Sequence, residues 1–128
     1  MKIDLTNVFV DDTNKALKFY TEVLGFYKKV HITEINWITV VSPEEPEGTQ
    51  LLLEPNSNPA SIEYQKSLFE QGIPAASFAV DDIEKEYERL AELGVEFTMK
   101  PSKTIGSIIS VFKDTCGNLI QLHQITDI

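Results

Sequence analysis

The feature that most narrows the possible folds is that the sequence repeats itself. Val8-Phe9-Val10-Asp11-Asp12 returns as Phe78-Ala79-Val80-Asp81-Asp82, an offset of 70 positions. Each copy is followed by a helical stretch that ends in Leu-Gly and an apolar residue. The endings are Leu24-Gly25-Phe26 and Leu93-Gly94-Val95, offset by 69, so one residue is lost within the helix or its cap. Strand, acidic pair, helix length and Leu-Gly stop all agree, which favours duplication of one unit over two unrelated strand–helix units. Cutting at Asn56 and Pro74 gives modules 1–56 and 74–128 around a linker at 57–73. The whole chain of 128 residues has the size of one domain.

Periodicity assigns the same order of elements to both modules. Ile3 to Val10 alternate as a strand, and the acidic pair then caps a helix, because carboxylates satisfy free N–H groups at its positive end. The first helix is predicted over Thr13 to Leu24, striped by Ala16, Leu17, Tyr20, Val23 and Leu24, and Gly25 stops it. Strands follow at Phe26 to Ile32, Asn36 to Val41 and Thr49 to Glu54. The second module repeats this with a strand at Ala75 to Val80 and a helix striped by Ile83, Tyr87, Leu90 and Ala91. Its later strands lie at Val95 to Met99, Ser107 to Phe112 and Leu119 to Ile125. Gly117-Asn118 suits a hairpin turn before the last strand. The linker holds a short helix near Ser61 to Phe69. The fold class is therefore α+β, two tandem β-α-β-β-β modules.

Charge removes several classes of function. Eleven Lys and Arg face twenty Asp and Glu, a net charge of -9, and Arg89 is the one arginine. Nucleic acid and anionic membranes call for clustered cations, so neither is an expected partner. A cationic small molecule fits this balance better. No apolar run approaches the roughly 18 residues of a membrane span, and the N-terminus has no signal-peptide pattern. With one cysteine, Cys116, and no internal disulfide, the expected location is the cytoplasm.

Several linked stretches carry a resemblance to a known family. They are Val10-Asp11-Asp12, Ala16-Leu17-Lys18-Phe19-Tyr20 with Leu24-Gly25-Phe26, Phe78 to Asp82 with Leu90 and Gly94-Val95, and Phe112 to Asn118. Together they resemble the vicinal oxygen chelate superfamily, which includes glyoxalase I, bleomycin-resistance proteins and extradiol dioxygenases. The resemblance covers nearly the whole chain. It implies that each sheet curls around a cleft, with the helices on the outer face. Strand parity would then turn Leu5, Asn7 and Phe9 to the cleft, along with Ala75, Ser77 and Ala79. Gln50, Leu52 and Glu54 share one face, and so do Leu119, Gln121 and His123.

In metal-dependent members, the resemblance implies one ligand on each of four strands, at positions that here carry Leu5, Leu52, Ala75 and Gln121. The first three side chains have no donor atom, and Gln121 offers a neutral amide, so a divalent cofactor is not expected. A relocated site from Glu54, Gln121 and His123 is the alternative, although a two-residue step along a strand moves a ligand by about 6.5 Å. Cys116 and His31 read as a structural thiol and a turn histidine. What is left is a cleft for a small organic molecule. Its candidate aromatic walls are Phe9, Trp37, Tyr64 and Phe112, and its polar anchors are Asn7, Gln50, Glu54, Gln121 and His123. Strand parity leaves Trp37 equally open to a core role.

Three functions fit these residues. One is metal-free capture of a small molecule, as in bleomycin-resistance-like relatives. The second is a glyoxalase-like lyase or other metalloenzyme with a displaced site. The third is a metal-independent isomerase using Glu54 or His123 as a base. Conventional metal-dependent glyoxalase I chemistry is disfavoured. The resemblance also implies a homodimer, with or without exchange of modules.

Overall fold

The computed structural model describes residues 1–127; Ile128, the last residue assigned to the second module, lies outside them. In chain order the elements are β1 (Leu5–Val10), α1 (Thr13–Lys18), β2 (Tyr27–Ile32), β3 (Trp37–Val41), β4 (Gln50–Pro55), α2 (Pro59–Glu70), β5 (Ala76–Ala79), α3 (Ile83–Glu92), β6 (Phe97–Thr104), β7 (Ser107–Lys113) and β8 (Leu119–Ile125). They form two open four-stranded sheets, ordered β1-β4-β3-β2 and β5-β8-β7-β6. In each sheet the first strand pairs parallel with the last, and the remaining pairs are antiparallel. The duplication read from the sequence is thus a duplication of topology, and the class is α+β.

The acidic pairs act as read. Asp12 accepts from the N–H groups of Asn14 and Lys15 at 3.1 and 3.0 Å, and Asp82 accepts from Lys85 at 3.1 Å. Gly25 and Gly94 end the two helical stretches at φ of 90° and 91°, a region that side chains disfavour. Between these matching ends the first module has one residue more. The structure absorbs it in a π-helical turn, Phe19–Val23, where the N–H of Leu24 bonds to the carbonyl of Phe19 at 3.1 Å. The change of offset from 70 to 69 is therefore an inserted residue taken up as one wider turn.

Two elements are longer than periodicity indicates. α2 starts at Pro59 because Asn58 caps the N–H of Ala60 at 2.8 Å and proline suits the first helical position. β6 continues past Met99 through Pro101 because it is an edge strand with shifts in register at Phe97/Met99 and Met99/Ser102.

One continuous core joins the modules. Val8, Val10, Ile38, Val40, Leu51 and Leu53 line one face of the first sheet, and Phe112, Ile120 and Leu122 line one face of the second. α1 and the turn after it bridge them. Phe19 meets Phe112 at 6.3 Å between ring centroids, and Tyr20 meets Phe78 edge-on at 6.4 Å. Arg89 of α3 donates to the carbonyl of Val23 at 3.0 Å. Each helix therefore covers the outer face of its own sheet, and the alternate residues of each strand point away from this shared core.

The Ser110 hydroxyl is buried on that core face with no hydrogen-bond partner among the described residues. A buried hydroxyl without a partner is destabilising. Ser110→Ala is therefore expected to raise stability by about 1 kcal/mol, read as a higher urea midpoint at unchanged slope.

The turn before β8 departs from a simple hairpin. Positive φ falls on Thr115 and Gly117, at 66° and 99°, and Asp114, Cys116 and Asn118 are all buried. The Asp114 carboxyl accepts from Tyr20 Oη at 2.7 Å, from Asn118 Nδ2 at 2.8 Å, and from the N–H groups of Cys116 and Asn118 at 2.8 and 3.0 Å. Gln65 of α2 reaches in as well. Its Nε2 donates to the carbonyls of Phe9 and Cys116, both at 2.9 Å, and to Asn118 Oδ1 at 3.1 Å. A β-carbon on Gly117 would lie 2.6 Å from that Gln65 nitrogen, so glycine is required there twice over.

Candidate functional site

The register of each sheet determines which side chains meet on the face away from the core. In the first sheet, Phe9 stands opposite Glu54, Asn7 opposite Leu52 and Leu5 opposite Gln50. Thr39 lies opposite Leu52 on the other side, and carrying that register two residues along puts Trp37 opposite Glu54. Trp37 is also paired with Ile32 of β2. Its parity is that of Thr39 and not of Ile38, so it belongs to the cleft face and not to the core. Continued in this way, the register makes a row of positions across three strands, with Glu54 of β4 between Phe9 of β1 and Trp37 of β3. Tyr64 of α2 meets Phe9 edge-on at 6.3 Å.

Polar neighbours orient this row. Asn7 Nδ2 donates to Glu54 Oε1 at 3.2 Å. Gln50 Oε1 accepts from the Thr39 hydroxyl at 2.7 Å, and that hydroxyl in turn accepts from the N–H of Val30 at 3.2 Å. Gln50 is thereby held in place beside Leu5.

The second sheet carries a different group. Ser77 pairs with Gln121 and Ala79 with His123 in the parallel register of β5 and β8. Gln121 Nε2 donates to Ser77 Oγ at 2.9 Å, and Ser77 Oγ lies 2.7 Å from His123 Nδ1. Val111 stands opposite Gln121 and Ile109 opposite His123, giving the group an apolar flank. Ser77 joins Gln121 and His123 across 44 and 46 residues of sequence, so only the β5–β8 register reveals their hydrogen bonds.

Phe112 corrects one of the aromatic assignments. It is fully buried in the core, facing Phe19 and Phe97, because its register opposite Ile120 puts it on the helix-bearing face. His31 is exposed on edge strand β2, opposite Ile38, so it sits in a strand and not in a turn. Cys116 is buried, and its thiol is pushed up to about 12 by burial first and by the nearby Asp114 second. A thiol in that state is not a nucleophile near neutrality.

The resemblance to metal-dependent proteins implies four ligand positions, and these carry Leu5, Leu52, Ala75 and Gln121. Leu5, Leu52 and Ala75 have no donor atom, and the amide nitrogen of Gln121 is committed to Ser77. Within one chain, Glu54 bonds to Asn7 on the first sheet while Gln121 and His123 belong to the second. No three His, Cys, Asp or Glu side chains among the described residues converge to hold a metal. A cavity of about 360 Å³ opens at the seam of β1, β3, β4 and β5. Asn7, Gln50 and Leu51 share its wall with Ala75, Ser77 and Phe78. No described helix is long and apolar enough to cross a membrane.

Comparison with known proteins decides the family. Residues 2–122 match the model of the Glyoxalase/Bleomycin resistance protein/Dioxygenase superfamily. The chain belongs to that superfamily. It is 56% identical over 126 residues to the uncharacterized protein YurT of Bacillus subtilis (strain 168), covering 97% of this chain and 99% of YurT. Among solved structures it is similar to UcmS2, with TM-score 0.81, 28% identity and coverage of 96% and 97% of the two chains. It is also similar to TnmS3, an antibiotic binding protein from Streptomyces sp. CB03234. Here the TM-score is 0.76 and the identity 25%, with coverage of 98% and 97%.

Proposed function

We propose that this superfamily member is a metal-free binding protein that takes a small cationic organic molecule on the cleft face of its sheets. The observation that carries the reading is Glu54 paired with Phe9 on the cleft face, with Trp37 placed on its other side by continuing the β3–β4 register. A carboxylate supplies charge to a cation, and aromatic faces attract it through their quadrupole. A net charge of -9 draws cations toward the protein at long range. The donor-poor set Leu5, Leu52, Ala75 and Gln121 speaks for binding without metal. The likeness to TnmS3, described as an antibiotic binding protein, agrees with capture and not turnover.

The working unit in this reading is a homodimer in a cytoplasmic setting. Each chain turns its two polar groups away from its own core, so a second copy would complete each cleft by setting the first-sheet row of one chain against the second-sheet group of the other.

Isothermal titration of the metal-depleted protein with a cationic glycopeptide and with benzyltrimethylammonium tests this. Saturable binding is expected for at least one, weakened about tenfold in Glu54→Gln, which corresponds to losing one charge-assisted contact of about 1.4 kcal/mol. Absence of binding by both cations, or equal affinity in Glu54→Gln, would overturn the cationic assignment. A stoichiometric divalent metal in the purified protein would overturn the metal-free one. Light scattering is expected to give twice the 14.4 kDa chain mass, and a monomer at micromolar concentration would remove the dimer.

A further inference from the structure

We propose that Gln121, Ser77 and His123 form a directional hydrogen-bond chain that presents His123 Nε2–H to an acceptor oxygen of a neutral part of the ligand. The direction follows from counting protons. An amide nitrogen only donates, so the 2.9 Å contact from Gln121 Nε2 makes Ser77 Oγ an acceptor. The Ser77 hydroxyl has one proton of its own, and its other partner is His123 Nδ1 at 2.7 Å. Ser77 Oγ could also accept from an Nδ1–H, but its own proton would then have no partner among the described residues; every proton in the group is used when the Ser77 proton points to Nδ1. Nδ1 is then the acceptor of a neutral imidazole, and the ring proton resides on Nε2. No described residue pairs with Nε2, which leaves this N–H for a ligand. Gln121 and Ser77 are positioning residues in this scheme, acting through the histidine.

The surroundings specify the chemical class. Beside the chain lie Val111 and Ile109 of β7 and Leu119 of β8, all on the same face, and among the described residues no carboxylate is hydrogen-bonded to Gln121, Ser77 or His123. Lys113, at the far end of that side of β7, is engaged by Glu96 and lies over the Phe69 ring. An apolar floor with one fixed donor suits a flat apolar body with a carbonyl, ether or ester oxygen. This is the opposite of the Glu54 row, which has a carboxylate and no fixed donor but the Asn7 amide. The inference rests on the reading that the cleft face binds a small molecule, but it concerns the other sheet and a different part of the ligand.

The test uses the full ¹⁵N-labelled chain at pH 8, with long-range ¹H–¹⁵N spectra of the imidazole. His123 is expected in the Nε2–H tautomer. Ser77→Ala is expected to abolish that preference, and Ser77→Thr, which restores a hydroxyl on a residue suited to strands, is expected to recover it. Acetophenone serves as the neutral acceptor probe and benzyltrimethylammonium as the cation. Acetophenone is expected to shift the His123 signals and to bind about tenfold more weakly to Ser77→Ala, with recovery in Ser77→Thr. An Nδ1–H tautomer in the unsubstituted protein would overturn the proposal. So would an acetophenone response that is absent or identical in Ser77→Ala. Failure of both the cationic glycopeptide and benzyltrimethylammonium, with acetophenone still responding, would strike the Glu54 reading and leave this one standing.

Discussion

Asp114→Ala is expected to destabilise the protein by about 4 kcal/mol, a large share of the roughly 5–15 kcal/mol that holds a domain together. The carboxyl is fully buried and accepts from Tyr20, from Asn118 twice and from the backbone of Cys116. Alanine would leave these donors without partners in a site closed to water, and each orphaned donor costs about 1–3 kcal/mol less whatever relaxation recovers. The loss spreads because this carboxyl shapes the turn whose Cys116 carbonyl receives Gln65 of α2 and the N–H of Asp11. Urea unfolding measures it, with Tyr20→Phe as control. Removing that hydroxyl deletes one donor and leaves a carboxyl with three others, so about 1 kcal/mol is expected. An Asp114→Ala variant within 1 kcal/mol of the parent would show that the turn is held elsewhere.

That network marks where sequence reading stops. The stretch Asp114 to Asn118 has the composition of an exposed turn, and Gln65 sits in a linker where a polar residue attracts no notice. Their burial comes from packing α2 against β1 and the β7–β8 turn, contacts that span 51 to 56 residues. Local pattern carries no record of such distances. What is local was legible. Acidic caps, Leu-Gly stops and alternating strands depend on neighbours within a turn or two, and those elements appear where the repeat puts them.

The same rule sorts the candidate site. β8 alternates cleanly as Leu119, Ile120, Gln121, Leu122, His123, so its cleft face can be read by parity. β7 reads Ser-Ile-Ile-Ser-Val-Phe, apolar on both faces, so its sequence does not show that Phe112 faces the core. Trp37 opens β3 without a motif, and only the register against β2 and β4 gives its face. The net charge of -9 does not distinguish the two sheets. The carboxylate belongs to the first and the Ser77–His123 pair to the second, so the two halves of the cleft face differ in chemistry although their topology is duplicated.

Alkaline pH is expected to unfold this protein earlier than its acidic composition alone would cause. Tyr20 is held well above its usual 10.0 by burial first and then by Asp114 beside it. Cys116 rises from 9.0 to about 12 for the same causes in the same order. In both, the folded state favours the neutral, protonated form, and the unfolded chain loses its proton first. The stabilisation is therefore complete below the unfolded values and declines as pH climbs through and beyond them, from about 9 for the thiol and about 10 for the phenol. Each group contributes a slope of at most about 1.4 kcal/mol per pH unit while it is ionised in the unfolded chain and still protonated in the fold. The urea midpoint should hold between pH 7 and 8.5, as far as these groups govern it, and fall steadily above 9. Cys116→Ala separates the two: it lowers stability at pH 7 through lost packing, but its decline should begin about one pH unit later, where only the phenol titrates. Superimposable pH profiles for Cys116→Ala and the parent, apart from a constant offset, would mean that the thiol ionises freely in the native fold and that the core around it is open to water.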